Sequence, residues 1–116
     1  MSTPYQRGAA FERRVQSELE AEGWLVTRSP ASKSPYDLVA LRRREGLRPE
    51  PGHNGQDLLI QCKLRGSISR REIEVLCELA WAYGAEAVLA YTLQERGVIH
   101  YRMYEPDDGC ARAWHP

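Results

Sequence analysis

The amino-acid sequence predicts a single α/β domain with a mixed central β-sheet flanked by helices, in the order α-β-β-β-α-β-β. Three observations carry that expectation. Two segments repeat apolar residues at helical spacing, five segments favour β-structure, and a length of 116 residues suits one hydrophobic core. Residues 1–104 are expected to form the domain and residues 105–116 a C-terminal tail.

Pro4 to Glu22 reads as an amphipathic helix because Gly8, Phe11, Val15 and Leu19 recur at helical spacing, and Gly23 follows as a stop. At about 100° per residue, Glu12 falls only about 20° from Leu19, so an acid lies on the buried face. Trp24 to Arg28 is a β-favouring run, Ser29 to Pro35 a Ser/Pro-rich turn, and Tyr36 to Arg42 a second strand. Arg43 to Gln56 holds two prolines, three glycines and an Asn-Gly pair without periodicity, which predicts an exposed loop. In the third strand, Asp57 to Lys63, alternation points Leu58, Ile60 and Cys62 one way and Asp57, Leu59, Gln61 and Lys63 the other.

Ser69 and Glu72 form a capping box for a second helix that runs through Ile73, Leu76, Cys77 and Ala80 to Tyr83, before Gly84. Val75, Leu79 and Ala82 widen its apolar arc beyond one face. That width predicts a second burial partner, and a second subunit is the expected one. Ala87 to Thr92 and Val98 to Tyr104 are the last two strands, joined by a polar turn at Gln94 to Gly97.

Apolar residues at 42% and charged residues at 28% exclude a disordered chain. No apolar run approaches the ~18 residues of a membrane span and the amino terminus lacks a signal-peptide layout, so a cytoplasmic location without membrane contact is expected. Cys62, Cys77 and Cys110 are too few and too scattered for a disulfide framework or a zinc site and read as reduced structural thiols. His53, His100 and His115 show no metal spacing. Lys plus Arg balance Asp plus Glu at 16 each, but residues 1–71 hold 13 basic and 8 acidic side chains. Such asymmetry creates a local positive field suited to phosphate, or is simply a solvated surface.

Three features converge: Glu12 on a buried helix face, Asp37 opening the second strand, and Gln61 with Lys63 on one face of the third. Each alone has an ordinary explanation: a turn aspartate bonding its own backbone, a satisfied core amide, a lysine snorkelling from a strand end. Their conjunction points to a metal site. Magnesium takes oxygen ligands, and Asp37, the Gln61 amide oxygen and the Cys62 backbone carbonyl offer them, with Glu12 acting directly or through a water. Lys63 then orients water and offsets charge developing on phosphate.

The runs Arg7-Gly8, Phe11-Glu12-Arg13, Gly23-Trp24, Arg28-Ser29, Ala31-Ser32-Lys33-Ser34, Tyr36-Asp37-Leu38-Val39-Ala40 and Gln61-Cys62-Lys63 together resemble the archaeal-type Holliday junction resolvases. These belong to the PD-(D/E)xK, or restriction-endonuclease-like, nuclease superfamily. The resemblance spans roughly residues 5 to 104. It implies a restriction-endonuclease-like fold and a magnesium-dependent endonuclease, with manganese as a substitute, acting as a homodimer that nicks opposed strands of a four-way DNA junction. It also implies that Glu12, Asp37, Gln61 and Lys63 form the active-site group and that Arg13, Arg28, Ser32 and Lys33 contact or position the phosphate backbone. Two residues depart from the pattern. Tyr36 separates Pro35 from Asp37, and Gln61 stands where the pattern has an acid, which leaves the site one charge less negative.

Arg7, Arg14, Ser34, Arg65, Arg70 and Arg71 complete the candidate DNA-binding surface, and Arg42, Arg43 and Arg44 either extend it or form a solvated charge run. The alternatives kept beside the resolvase reading are a weak or inactive junction-binding dimer and a related repair or restriction-type nuclease acting on other branched or duplex DNA.

Overall fold

Thr3 opens the first helix, α1 (Pro4–Ala21), by accepting the Gln6 N–H at 3.1 Å, while the Gln6 side chain accepts the Thr3 N–H at 2.9 Å. Pro4 costs nothing at the first helical position, where an N–H has no partner in any case. The structure is a computed structural model that describes residues 3–29, 34–42, 57–94, 96–105 and 111–116. Phe11, Val15 and Leu19 are buried, as their spacing predicts. The chain leaves α1 through Gly23 at φ 96°, a left-handed turn that favours glycine.

Strands β1 (Trp24–Arg28), β2 (Leu38–Arg42) and β3 (Leu58–Lys63) form an antiparallel meander. Helix α2 (Arg70–Ala82) then crosses back so that β4 (Glu86–Tyr91) pairs parallel to β3. A parallel partner requires such a crossover, because a hairpin reverses the chain. β5 (His100–Tyr104) and β6 (Ala111–Trp114) complete a six-stranded mixed sheet in the order β1-β2-β3-β4-β5-β6. The two expected helices and five expected strands are present. β6 falls within the segment expected as a tail: it pairs with β5, and Trp114 stacks edge-on against Trp24 at 5.9 Å and Tyr101 at 5.6 Å. The expected loop 43–56 lies outside the described residues, as do His53 and Cys110.

Alternation along the strands divides the core into two layers. Leu38, Ala40, Leu58, Ile60 and Val88 meet the Phe11–Val15–Leu19 stripe of α1, and Leu59, Ala87 and Leu89 meet Leu76, Cys77 and Ala80 of α2. Leu19, Leu38, Leu58 and Ile60 are wholly buried, and each contributes about 1.5–3 kcal/mol relative to exposure. β3 thus lies under both helices. Beyond it the chain turns sharply at Arg65 (φ 68°) and Gly66 (φ 72°). A Cβ at Gly66 would meet Tyr91 Cδ2 at 3.0 Å, so the position needs glycine both for its conformation and for its space. No helix among the described residues is long and apolar enough to cross a membrane.

Candidate active site

The site forms where β2 and β3 part. Their ladder ends at the Leu38–Ile60 pair, and the Asp37 N–H still reaches the Ile60 carbonyl at 2.7 Å. One step further, the partner of β3 is a side chain: the Cys62 N–H donates to Asp37 Oδ2 at 2.7 Å. A carboxylate therefore replaces backbone at the strand end and is fixed in direction by that bond. Asp37 precedes the strand that was expected to contain it, because its carboxylate takes up the pairing that its backbone gives up.

Glu12 reaches the same place from α1, half-buried and ion-paired through Oε2 to Arg28 Nη2 at 3.0 Å. Burial raises the Asp37 carboxyl from 3.8 to about 6; the charge of Glu12 and a hydrogen bond with it push the same way, while the Cys62 N–H and the Lys63 charge oppose. The nearby Glu12 charge disfavours ionisation of Asp37, and a proton or a cation on Asp37 relieves that repulsion. Arg28 offsets part of the charge, and its Nε is buried without a hydrogen-bond partner. Cys62 turns its sulfur toward the α1 side. Burial first, then Asp37 and Glu12, hold its thiol well above the ordinary range, so it is no nucleophile. Burial likewise pushes the Cys77 thiol to about 11.

On the α2 side of the sheet, Gln61 and Lys63 share one face of β3, as alternation predicts. They open into a cleft of about 380 Å³ with Ser34, Pro35, Arg71, Glu72 and Val75. Lys63 Nζ meets Glu72 Oε2 at 2.7 Å. That contact, with smaller help from Ser69, holds the Glu72 carboxyl below its usual range. In the sequence Glu72 reads only as a helix cap, and its pairing with Lys63 is not legible there. The Glu12–Arg28 pair was equally hidden.

The candidate DNA-contacting residues separate into groups. Arg7 and Arg14 line a cleft of about 330 Å³ with Ala10, Phe11, Leu64 and Arg96, the last of which no sequence pattern singles out. Arg7 and Arg65 line an adjoining cleft of about 300 Å³ with Pro4, Gly8 and Leu64. Arg13 is exposed on α1. Arg70 and Arg71 are exposed in the first turn of α2, near Glu74 at 3.5 and 3.9 Å. Arg28 is held against Glu12, Ser34 lines the Gln61–Lys63 cleft, and Ser32 and Lys33 lie outside the described residues. Of the expected dimer residues, Val75 and Leu79 are half-buried and Ala82 is exposed. On the α2 side of the sheet, Leu25 and Leu41 form an exposed cross-strand pair, 65% and 41% accessible.

The solved structure of Hjc from Archaeoglobus fulgidus, described as a Holliday junction resolvase from an archaeal hyperthermophile, is similar with a TM-score of 0.61 and 27% identity, over 82% of this chain and 70% of that one. The six-stranded mixed sheet with a helix on each face is therefore a restriction-endonuclease-like fold. Within that class the chain belongs to the archaeal Holliday junction resolvase (Hjc) family, whose model matches residues 3–109. It is 32% identical over 94 residues to the crossover junction endodeoxyribonuclease Hjc of Methanocaldococcus jannaschii, a match covering 78% of this chain and 62% of the relative. The chain thus spans about three-fifths of that relative's length.

Proposed function

We propose that this chain is a divalent-metal-dependent endonuclease that resolves four-way DNA junctions by paired nicks, working as a homodimer. The observation that carries the reading is the nearness of Glu12 and Lys63 to Asp37 at the end of β3, with the Asp37 carboxyl raised to about 6 and Gln61 lining the Lys63 cleft. Family membership supplies the substrate class.

The donor set suits a metal. Two half-buried carboxylates in mutual reach carry more negative charge than Arg28 offsets, and a hard cation relieves that crowding. Asp37, the Gln61 amide oxygen and the Cys62 carbonyl would hold magnesium, or manganese in its place, with Glu12 acting through a water. Bound there, the ion supplies Lewis acidity and an acidified water. The remaining work falls to the protein. The Cys62 N–H fixes Asp37, Arg28 fixes Glu12, and the Lys63 ammonium donates to phosphate oxygens and offsets the charge that builds up on them. The arginine-lined clefts grip DNA through phosphate, so binding weakens steeply with salt.

Incubation with a four-way junction and magnesium is expected to give symmetric paired nicks that Asp37→Ala abolishes. Absence of cleavage with both magnesium and manganese overturns the reading. Competition among junction, flap and linear duplex substrates separates resolution from a repair or restriction-type activity.

A second reading, a junction-binding dimer with little or no cleavage, is favoured by one observation: the residue beside Lys63 on the β3 face is an uncharged amide. Gln61→Glu distinguishes the two. A jump from no activity to measurable activity supports the second reading, whereas a change within about ten-fold of a working wild type supports the first.

A further inference from the structure

Lys63 ends β3, and the side chain sharing its strand face two residues earlier, Gln61, carries no charge. The carboxylate that meets the ammonium comes from another element: Glu72 Oε2 lies 2.7 Å from Lys63 Nζ. That carboxylate is anchored at its other oxygen, where Oε1 accepts the Ser69 N–H at 3.3 Å while the Ser69 hydroxyl accepts the Glu72 N–H at 3.1 Å. Both oxygens are thus engaged, one with the helix start and one with the lysine. A carboxylate held at two points restricts its partner more than a free surface acid does. The Lys63–Glu72 pair lines the same cleft as Gln61 and Ser34, so the restraint acts inside the site.

We infer that Glu72 is a positioning residue for Lys63, supplying from the first turn of α2 the negative charge that the β3 face lacks at Gln61. The inference rests on the nuclease reading above and adds to it the source of the charge that orients the lysine. The capping box is then also a mechanical link between helix α2 and the reacting phosphate. A helix cap alone needs only an acceptor at this position, and glutamine serves there as well as glutamate.

Glu72→Gln tests the inference, because it keeps the cap and removes the charge. The expected result is a fall in kcat for junction cleavage of roughly ten-fold, with KM within about two-fold and Tm within about 1 °C of wild type. Adding Gln61→Glu returns a carboxylate to the same strand face and is expected to recover most of the lost rate. The chain has two lysines, Lys33 and Lys63, so their side-chain ammonium nitrogens give a two-signal NMR readout that requires no turnover. The Lys63 signal is expected to move in Glu72→Gln and to return toward its original position in the double variant. Unchanged kcat in Glu72→Gln from a cleaving wild type overturns the inference, as does a loss that Gln61→Glu leaves unrepaired. If the wild type does not cleave, the nuclease reading falls separately, and a Lys63 signal indifferent to Glu72→Gln overturns the positioning role.

Discussion

Replacing Asp37 with asparagine should make the metal-free protein more stable while abolishing the proposed junction cleavage. Asparagine keeps an oxygen for the Cys62 N–H, now supplied by the carboxylate at 2.7 Å, and removes the charge that burial and Glu12 oppose. The rise from 3.8 to about 6 corresponds to about 3 kcal/mol at roughly 1.4 kcal/mol per unit. Solvent reaches part of the carboxylate and screens it, which leaves about 1–2 kcal/mol. For a chain of this size that is an upward shift of about 4–10 °C in Tm. The sign follows from the direction of the shift. Because the folded-state value is raised, ionisation costs the wild type stability above about pH 6, and the cost disappears as the pH falls from about 6 toward 4. Thermal unfolding of both proteins in chelator, from pH 7.5 to 4, should therefore show an asparagine advantage that is full at neutrality and vanishes in acid. Magnesium should reverse the order at neutral pH by stabilising only the wild type. An asparagine variant no more stable at pH 7.5, or an advantage that is constant with pH, refutes the reasoning.

Three further expectations use other parts of the molecule. Arg28→Met removes the cation 3.0 Å from Glu12; the full negative field then falls on Asp37, and the acidic limb of the cleavage pH profile should move to higher pH by about half a unit or more. Trp114→Ala strips one ring from the Trp24–Tyr101–Trp114 cluster and should cost about 2–3 kcal/mol in urea unfolding, less than a wholly buried tryptophan because this one is half-buried. Leu25→Glu with Leu41→Glu sets two like charges opposite one another on the exposed β1–β2 surface; if the proposed homodimer uses this exposed pair, light scattering should show it shifted toward monomer, with the fold intact by circular dichroism.

Those features differ in how far a reader of the sequence can foresee them. The faces of Gln61, Lys63 and Glu12 were legible because they follow from periods of 2 and 3.6, which are local properties of the chain. The position of Asp37 was legible as a strand opening, but its use as a stand-in for backbone depends on where two strands diverge. The ion pairs Glu12–Arg28 and Lys63–Glu72 join different elements, so no local pattern announces them. Glu72 was masked by a sufficient simpler role. β6 was missed because Ala-Arg-Ala-Trp has too little apolar alternation to read as a strand, and its three exposed residues reflect an edge position that depends on β5 rather than on its own burial. The leucine pair at 25 and 41 belongs to a register, and registers are fixed only once the sheet exists.

The double burial of β3 bears on how the molecule opens. Its centre is bonded antiparallel to β2 on one edge and parallel to β4 on the other, and it is covered on both faces. Amide protons there should exchange only through global unfolding, whereas those of the edge strand β6, paired on one side, should exchange through local fraying. Asp37 and Cys62 draw their geometry from the slow-exchanging part. A molecule whose sixth strand has come loose would still present its carboxylate to the Cys62 amide, so proteolytic nicking in β6 should shorten the protein's lifetime before it disturbs the Asp37 geometry of the folded molecules that remain.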